Sequence, residues 1–472
     1  MKVKTIPSNW LSENGNRLDC NPYMGGAIEA KSIIRSLKDE ADILKDLTAG
    51  HSGGIYNGPK FQRIYLTSEE HSVPFLTTTS MMQADISSIA RLKKKDAKSK
   101  KLSFLEIKEG MILISCSGTV GRMTYAGKSL QGVWSNQDML KVVADENKIG
   151  SGYLYAFLNS SFGIPLVLVG TYGAMILHIE PEHIENMPIP RLGNVKENEI
   201  DSLIKKSSKL RGDFQKNIDA ATELLFSSAG LSDITPAEWH SEGPDIGDQI
   251  YLKSPRSIRA LNFGGRFKRL IENLKSVPHK TLGEICQGGQ LSRGVRFKRI
   301  DSSPEYGAQL IGQKQGFWSK PEGRWISKAH APEEIFSIDE AVLIASQGTL
   351  GEREVFCRPI FVTGKWLEYA YSEHFLRIYP NDTELSGAYV FAFLRSETAF
   401  RCLRSMSIGS KQQDIHVGML SELPIPLIGH DDKKAVEQLI RDAFKAKDLA
   451  DEYESTAIAM VESGIKAAAK KN

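Results

Sequence analysis

The strongest constraint on the fold of this chain is that its two halves repeat each other. Four segments of the first half recur in the second half in the same order and at nearly constant separation. The matched pairs are GPKFQRI (58–64) with GVRFKRI (294–300), EGMILISCSGTVG (109–121) with DEAVLIASQGTLG (339–351), YAFLNS (155–160) with FAFLRS (391–396), and IENMPIPRLG (184–193) with LSELPIPLIG (420–429). An internal repeat of this kind predicts two similar domains, one after the other.

The segment GRMTYAGKS (121–129) is similar to a phosphate-binding loop, but its spacing argues against one. Such a loop has four residues between its first glycine and the Gly-Lys pair, whereas five lie between Gly121 and Gly127. The counterpart in the second half, GEREVFCRP (351–359), has no Gly-Lys-Ser. We therefore interpret SGTVG and QGTLG as turns between an apolar strand and a returning strand, where glycine permits a positive φ or the close approach of another backbone.

A short helix is predicted near the end of each domain, at about 150–160 and 387–396, and a long helix after each Pro-Ile-Pro segment. In the long helices, apolar and small residues recur at alternating spacings of three and four, which is typical of a coiled-coil seam. The predicted seam residues are Ile200, Leu203, Ser207, Leu210, Phe214, Asn217, Ala221 and Leu224 in the first helix, and Val436, Leu439, Ala443, Ala446, Ala450, Tyr453, Ala457 and Met460 in the second. We expect the two helices to pair antiparallel.

The predicted architecture is α+β, with two similar mixed domains separated by two long helices. The first domain is placed at 1–193 and the first long helix at 194–228. The linker and second domain follow at 229–429, and the second long helix at 430–472.

Composition is that of an ordinary globular protein. The chain has 472 residues, of which 41% are hydrophobic and 25% charged, with a net charge of +3. No apolar run approaches about 18 residues, and the N-terminus lacks an apolar export signal, so a cytoplasmic protein without a membrane association is expected. The five cysteines have no metal-binding spacing, which favours reduced, structural thiols.

The distribution of charge is more informative than its sum, because basic residues cluster at 91–101 and 292–299, with a further scatter at 256–269. The second cluster alternates apolar with basic residues, which suits a strand with one face toward an anion. Phosphate-binding candidates are Arg91, Lys93, Lys94, Lys95, Lys98, Lys100 and Lys101 in the first domain and Arg293, Arg296, Lys298 and Arg299 in the second. Each of these charges could equally be a solvated surface residue.

A loop after Gly409 carries amide and amine side chains that could reach base edges. The candidates there are Lys411, Gln412 and Gln413. The corresponding loop of the first domain offers Tyr172 and His178, and Gln137 and Gln347 are further candidates. No catalytic residue and no metal ligand is predicted.

The order of these motifs resembles the specificity subunit of Type I restriction-modification systems, over nearly the whole chain. The resemblance is carried by the SGTVG and QGTLG turns, the YAFLNS and FAFLRS helices, the Pro-Ile-Pro endings and the two long helices. The segments RLDCNPYM (17–24) and, more loosely, RALNFGGRF (259–267) are similar to the opening segments of target-recognition domains. One departure is that neither long helix begins with the proline-rich Glu-Gln entry common in that family.

The resemblance implies a non-catalytic reader of double-stranded DNA with two target-recognition domains and an antiparallel coiled coil. It further implies two methyltransferase subunits as partners, with restriction subunits as optional ones. S-adenosylmethionine, ATP and Mg would bind those partner subunits, and this chain would need no cofactor.

Two other functions stay open. A DNA-binding scaffold without modification partners would show the same architecture. An N6-adenine methyltransferase is the weaker alternative, since NPYM (21–24) is similar to the Asn-Pro-Pro-Tyr motif but lacks one proline, a preceding strand and a glycine-rich cofactor loop.

Overall fold

The computed structural model describes residues 3–13, 16, 18, 20–37, 41–169, 177–243, 245 and 257–470. In the first domain, short helices alternate with short strands. Its helices are α1 (Ser8–Glu13), α2 (Asn21–Met24), α3 (Ala27–Arg35), α4 (Lys94–Ala97), α5 (Ser151–Leu158), α6 (Gly163–Val169) and α7 (Pro181–Ile184). Its strands are β1 (Ala41–Ile43), β2 (Ile55–Tyr56), β3 (Ser72–Leu76), β4 (Arg91–Lys93), β5 (Ile112–Ser115), β6 (Met123–Tyr125), β7 (Trp134–Ser135), β8 (Met139–Val142) and β9 (Pro188–Pro190).

The long helix α8 (Asn194–Ser228) leads into the second domain, and the long helix α15 (His430–Ala469) follows it. The second domain contains helices α9 (Pro236–Ser241), α10 (Gly265–Lys275), α11 (Leu282–Ile285), α12 (Gly387–Leu394), α13 (Glu397–Ser405) and α14 (Val417–Leu420). Its strands are β10 (His279–Thr281), β11 (Gln290–Arg293), β12 (Gly307–Ile311), β13 (Arg324–Ser327), β14 (Ala341–Ala345), β15 (Gln347–Gly348), β16 (Pro359–Val362), β17 (Ala370–Tyr371), β18 (Phe375–Tyr379), β19 (Ser407–Gly409), β20 (Gln413–Ile415) and β21 (Pro424–Pro426).

The two domains have the same sheet topology, which confirms the repeat predicted from the sequence. The four-stranded order β2-β8-β5-β6 of the first domain recurs as β11-β18-β14-β16. The order β4-β3-β7, with its one parallel pair, recurs as β13-β12-β17, and the pair β1-β9 recurs as β10-β21. The second domain also has the sheet β15-β20-β19; in the described part of the first domain, the bridge between Ser117 and His178 corresponds to the pairing of β15 with β20.

The glycines that recur after β5 and β14 have different roles in the two copies. Gly118 and Gly121 follow β5 with φ values of 77° and 87°, a region that favours glycine, so they form the predicted turn. In the second copy, Gly348 lies within β15, and a Cβ there would come within 2.8 Å of Phe356. The second copy therefore requires glycine for close packing.

The long helices α8 and α15 pack against each other and run antiparallel. The Ser207 hydroxyl donates to the Ala450 carbonyl at 2.8 Å, and the rings of Phe214 and Phe444 meet edge to face at 5.4 Å. Residue numbers rise along one helix as they fall along the other. The predicted α+β architecture with an antiparallel helix pair is therefore confirmed.

The predicted seam is correct at every second position and displaced by one residue at the others. Ile200, Ser207, Phe214 and Ala221 are buried as predicted, and so are Val436, Ala443, Ala450 and Ala457. Between them, Ile204, Ile218 and Leu225 are buried in α8, and Ile440, Lys447, Glu454 and Val461 in α15, whereas the predicted Leu203, Leu210, Asn217, Leu224, Leu439, Ala446, Tyr453 and Met460 are half-buried. The displacement arises because each helix contacts α5 and α12 as well as its partner helix, so its apolar stripe is wider than a two-helix seam.

Helices α5 and α12 lie between the sheets and the helix pair. All eight residues of each are buried. A Cβ on Gly152 would lie 2.7 Å from the Asp201 carbonyl oxygen of α8, so only glycine permits this close approach. In the second domain, Phe391 of α12 meets the Phe444 ring of α15 at 5.6 Å. The repeated YAFL and FAFL motifs are therefore the attachment of each domain to the helix pair.

Within the described residues, no single helix is long and apolar enough to cross a membrane. Helices α5 and α6 reach that length and apolarity only when taken together, and the chain bends by 71° between them.

Candidate nucleic-acid interface

The basic segment 91–101 forms one edge of the first domain. It consists of β4, α4 and the turn that follows, and it is anchored by the buried side chains of Leu92, Ala97 and Leu102, which pack with Phe75 and Trp134. Five of the six lysines between these anchors are exposed: Lys94, Lys95, Lys98, Lys100 and Lys101. An apolar anchor at every fifth residue thus holds a row of amines toward solvent, where phosphates could bind.

Arg91 and Lys93 differ from these five lysines. The Arg91 guanidinium lies 3.2 Å from Glu69 and donates to the Ser72 hydroxyl at 2.9 Å. Lys93 is half-buried in β4. Arg91 therefore already stabilises its own sheet, and a phosphate would have to compete with Glu69 for it.

The second basic segment, 292–299, is only partly the predicted strand. Strand β11 ends at Arg293, and the residues after it form a loop in which Val295 is exposed. The predicted alternation of buried and exposed residues beyond Arg293 is therefore wrong; Phe297 alone packs partly on a core, so the loop keeps one anchor.

Within this loop the four basic residues have different environments. Arg293 forms an ion pair with Asp414, and Arg299 donates to Glu373 at 2.6 Å. Arg296 and Lys298 are exposed. Burial and the nearby positive charge of Arg296 lower the pKa of Arg293.

The two basic segments do not occupy equivalent positions. Segment 91–101 begins at β4, whose counterpart is β13, while 292–299 begins at β11, whose counterpart is β2. The same topology thus carries its positive charge at different edges in the two copies.

The loop after Gly409 is a β-hairpin, and it brings together candidates from three parts of the chain. Gly409 has a φ of 99° at the turn between β19 and β20, and Lys411 and Gln412 are exposed at the tip. Strand β20 also pairs with β15, where Gln347 donates to Asp414 at 3.3 Å. Because Asp414 also binds Arg293, both residues lie beside the hairpin.

One predicted residue of this hairpin points inward. The Gln413 side chain is buried, and its amide donates to the Ser410 carbonyl, so it shapes the turn in this conformation.

A residue that sequence reasoning missed is Gln313. Its amide donates to the Gln347 carbonyl at 2.9 Å and accepts from the Gln347 N–H at 3.0 Å, so it fixes Gln347 in place. A lone glutamine after β12 carried no signal in the sequence.

The first domain matches this arrangement only in part. Ser117 and His178 form the bridge that corresponds to Gln347 and Asp414, and Tyr172 lies outside the described residues. Gln137 accepts from Arg63 at 2.7 Å, as Glu373 accepts from Arg299 in the second domain. This arginine contact is therefore common to both copies.

The described residues contain no group of three or more His, Cys, Asp or Glu side chains that could hold a metal ion. Burial raises the pKa of Cys286 to about 12, and burial together with the charges of Asp138 and Glu180 raises that of Cys116 to about 12. Both thiols therefore stay protonated and are poor nucleophiles at neutral pH. The NPYM segment is the one-turn helix α2.

Comparison with known proteins gave structural matches only. No protein-family model and no curated protein sequence matches the chain. Among solved structures, the S subunit of a Type I restriction-modification system from M. genitalium matches at 12% identity and a TM-score of 0.37, covering 90% of this chain and 94% of that one. The HsdS subunit from Thermoanaerobacter tengcongensis matches at 14% identity and a TM-score of 0.27, covering 90% of this chain and 96% of its own.

A chain from a structure concerned with complex assembly and conformational transition of the type I R-M system matches at 13% identity and a TM-score of 0.25, covering 91% of this chain and 96% of that chain. All three TM-scores are low.

Proposed function

We propose that this chain is the DNA-sequence specificity subunit of a Type I restriction-modification system. It reads a bipartite target, one half-site with each domain, and recruits two DNA adenine methyltransferase subunits to that target in the cytoplasm. It has no catalytic role of its own. S-adenosylmethionine, ATP and Mg act on the partner subunits, with restriction subunits as optional members of the complex.

One observation carries the proposal: two domains that share three sheets of the same strand order are attached, through α5 and α12, to an antiparallel pair of long helices. Two similar readers on a rigid support suit a ligand that presents two similar surfaces at a fixed distance. Duplex DNA is such a ligand, because its grooves recur along the axis. A chain with one catalytic centre would have no need of this duplication.

The side chains at the candidate interface suit the two kinds of contact that DNA recognition requires. The exposed lysines of segment 91–101 and the exposed Arg296 and Lys298 provide phosphate contacts, which position a protein without reading sequence. The hairpin tip with Lys411 and Gln412, and Gln347 beside it, offers donors and acceptors for base edges in a major groove. Since the two domains carry these groups at different edges, the two half-sites should differ in sequence.

The length of the helix pair sets the interval between the two half-sites on the DNA. A helix rises about 1.5 Å per residue, and duplex DNA about 3.4 Å per base pair, so roughly two helical residues correspond to one unread base pair. Helix α8 contains 35 residues and is paired along its length with α15. The unread interval between half-sites should therefore be constant.

The experiment is adenine methylation mapping in the host genome with and without this gene, combined with isolation of the tagged full-length chain from the same cells. We expect a methylated bipartite motif that disappears with the gene, and a methyltransferase chain that co-purifies. Unchanged methylation with sequence-specific DNA binding would indicate a stand-alone scaffold instead. Methylation of DNA by the purified chain alone would mean that the chain is itself the enzyme.

A further inference from the structure

The two domains contact each other directly, in addition to their attachment to the helices. Gln83 of the first domain and Trp318 of the second form an antiparallel bridge. The Ala84 N–H donates to the Phe317 carbonyl at 2.9 Å, and the Ser319 N–H donates to the Met82 carbonyl at 2.7 Å. We call this contact, with the side chains that surround it, the domain junction.

Aromatic and charged side chains from both domains surround this bridge. The Arg122 guanidinium of the first domain lies over the Trp318 ring at 4.1 Å and donates to Glu322 at 3.0 Å. In the opposite sense, the Arg353 guanidinium of the second domain lies over the Tyr65 ring at 4.1 Å. Each domain thus places a cation on an aromatic ring of the other.

Arg395 joins the junction to the helix pair. It belongs to the second domain, its side chain is 7% exposed, and it lies 3.0 Å from Asp85 of the first domain and 2.7 Å from Asp219 of α8. Burial alone would raise the pKa of Asp85, but the charge of Arg395 and hydrogen bonds from Ser87 and Gln215 lower it to about 2. Asp85 is therefore ionised, and together with Asp219 it balances the charge of the buried Arg395 guanidinium.

The junction changes the mechanics of the molecule. If the helix pair were the only connection, a small bend where α8 begins at Asn194 or ends at Ser228 would alter the distance between the domains. The junction adds a second connection, which restrains such a bend. On the proposed function, we infer that the domain junction, together with the length of the helix pair, fixes the interval between the two DNA half-sites.

Variants can release the junction without touching the candidate DNA contacts. Ala84→Pro and Ser319→Pro each remove one of the two bridging N–H donors. The residues before them, Gln83 and Trp318, have ψ values of 139° and 152°, which a residue before proline prefers. The test protein carries both prolines.

A change of charge disrupts the domain junction independently of the prolines, and it has a matched control. Glu322→Arg places a second guanidinium beside Arg122, and both positions are at least partly exposed, so folding should persist. The control is the exchanged pair Arg122→Glu with Glu322→Arg, which restores opposite charges. Far-UV circular dichroism and urea unfolding establish that each variant is folded.

The first readout is the distance between the domains and needs no DNA. Spin labels are placed at exposed Glu109→Cys and Glu305→Cys in a Cys20→Ser background, since the other four cysteines are buried. We expect one narrow distance distribution for the parent and at least a twofold broader one for the double-proline and Glu322→Arg variants. The exchanged pair restores the ion pair but not the contact of Arg122 with the Trp318 ring, so its distribution should be narrower than that of Glu322→Arg. An unchanged distribution in both released variants would overturn the inference.

The second readout is the interval tolerated on DNA, measured by selecting bound duplexes from a library with two half-sites at varied separation. We expect the parent to select one interval, and the released variants to bind neighbouring intervals with at least tenfold less discrimination. Broadened distances with a single selected interval would overturn the inference while leaving the proposed function intact. If the parent selected no bipartite DNA, the proposed function would fail, and the label distances would still show whether the junction holds the domains together.

Discussion

Gln83 and Trp318 form a bridge with each other. They occupy corresponding positions, because each directly follows a one-turn 3₁₀ helix, Ser80–Met82 in the first domain and Gln315–Phe317 in the second. A contact between corresponding positions arises where a two-fold axis relates two copies of a structure. The antiparallel direction of α8 and α15 satisfies the same relation. The chain therefore behaves as a two-fold dimer of domains encoded in one polypeptide, and its function should depend on the distance that this arrangement sets.

The length of the helix pair should set the interval between half-sites. Inserting one helical turn after Gly212 in α8 and another after Ala446 in α15 adds about 5.4 Å to the separation. The lengthened protein should prefer an interval longer by one or two base pairs and bind with lower affinity, because the domain junction resists separation. Methylation mapping or library selection measures the interval. Insertion into one helix alone is the control, and it should destabilise the fold. An unchanged interval in the double insertion would contradict the prediction that helix length sets the interval.

Arg296 should contribute to phosphate binding. Its side chain is exposed, and it lies between Arg293 and Arg299, which form ion pairs with acidic residues. Arg296→Ala should weaken binding to every DNA sequence and reduce the slope of log K against log salt by about 0.9, as expected for one lost phosphate contact. Fluorescence anisotropy over a range of salt concentrations measures this. Lys434→Ala, an exposed cation on α15, should leave the slope unchanged. Loss of affinity for only one target would show that Arg296 reads bases.

Gln412 should read a base in one half-site. It is exposed at the hairpin tip, next to Lys411 and beside the strand that carries Gln347. Gln412→Ala should relax selection at one base pair, at a cost of about 1–3 kcal/mol in discrimination. Sequencing of bound DNA reports both half-sites, so the half-site of the first domain is the internal control. Equal relaxation of both half-sites would mean that the substitution perturbs the fold and not a base contact.

Lys447 should destabilise the folded chain at neutral pH. Its amine is buried between the helices, 3.6 Å from Asp451 and 4.2 Å from the Trp366 ring centre, and burial lowers its pKa from 10.5 to about 8. Between pH 8 and 10.5 the unfolded chain binds more protons, so the stability contributed at this site rises with pH across that window and is constant below it. Lys447→Met should therefore raise the free energy of unfolding at pH 7 by up to about 3 kcal/mol, since one unit of pKa shift corresponds to about 1.4 kcal/mol.

The advantage of Lys447→Met should shrink as the pH approaches 10. Urea unfolding at pH 7 and pH 10 measures the difference. Lys445→Met, which removes an exposed lysine two residues earlier, should change stability little at either pH. A methionine variant less stable than the parent at pH 7 would show that the contacts of Lys447 with Asp451 and Trp366 outweigh its burial.

Much of the fold could be predicted because segments of the first domain recur in the second. Matching apolar residues and glycines located β5 and β14, the YAFL and FAFL helices and the long helices. The seam residues were displaced at alternate positions because helical spacing alone does not reveal that α5 and α12 also pack on the helices. The charged Lys447 and Glu454 were missed as seam residues, because they are buried against residues distant in the sequence: Trp366 for Lys447, and Tyr155 and Arg211 for Glu454.

The candidate site was harder to predict than the fold. Composition located the exposed lysines of segment 91–101 and the hairpin tip, but it could not show that Arg293 and Arg299 are paired or that Gln413 points inward. The domain junction gave no signal, because it joins loops more than 230 residues apart through backbone groups that every residue possesses. Such contacts depend on how the domains are placed, and the sequence of a loop does not encode that placement.

Selection of bound DNA by the purified full-length chain, from a library of random duplexes, tests the central claim most directly. Two domains held on one helix pair should select two short, different half-sites separated by an unread interval of constant length. Selection of a single continuous site, or of half-sites at many unrelated separations, would contradict the account.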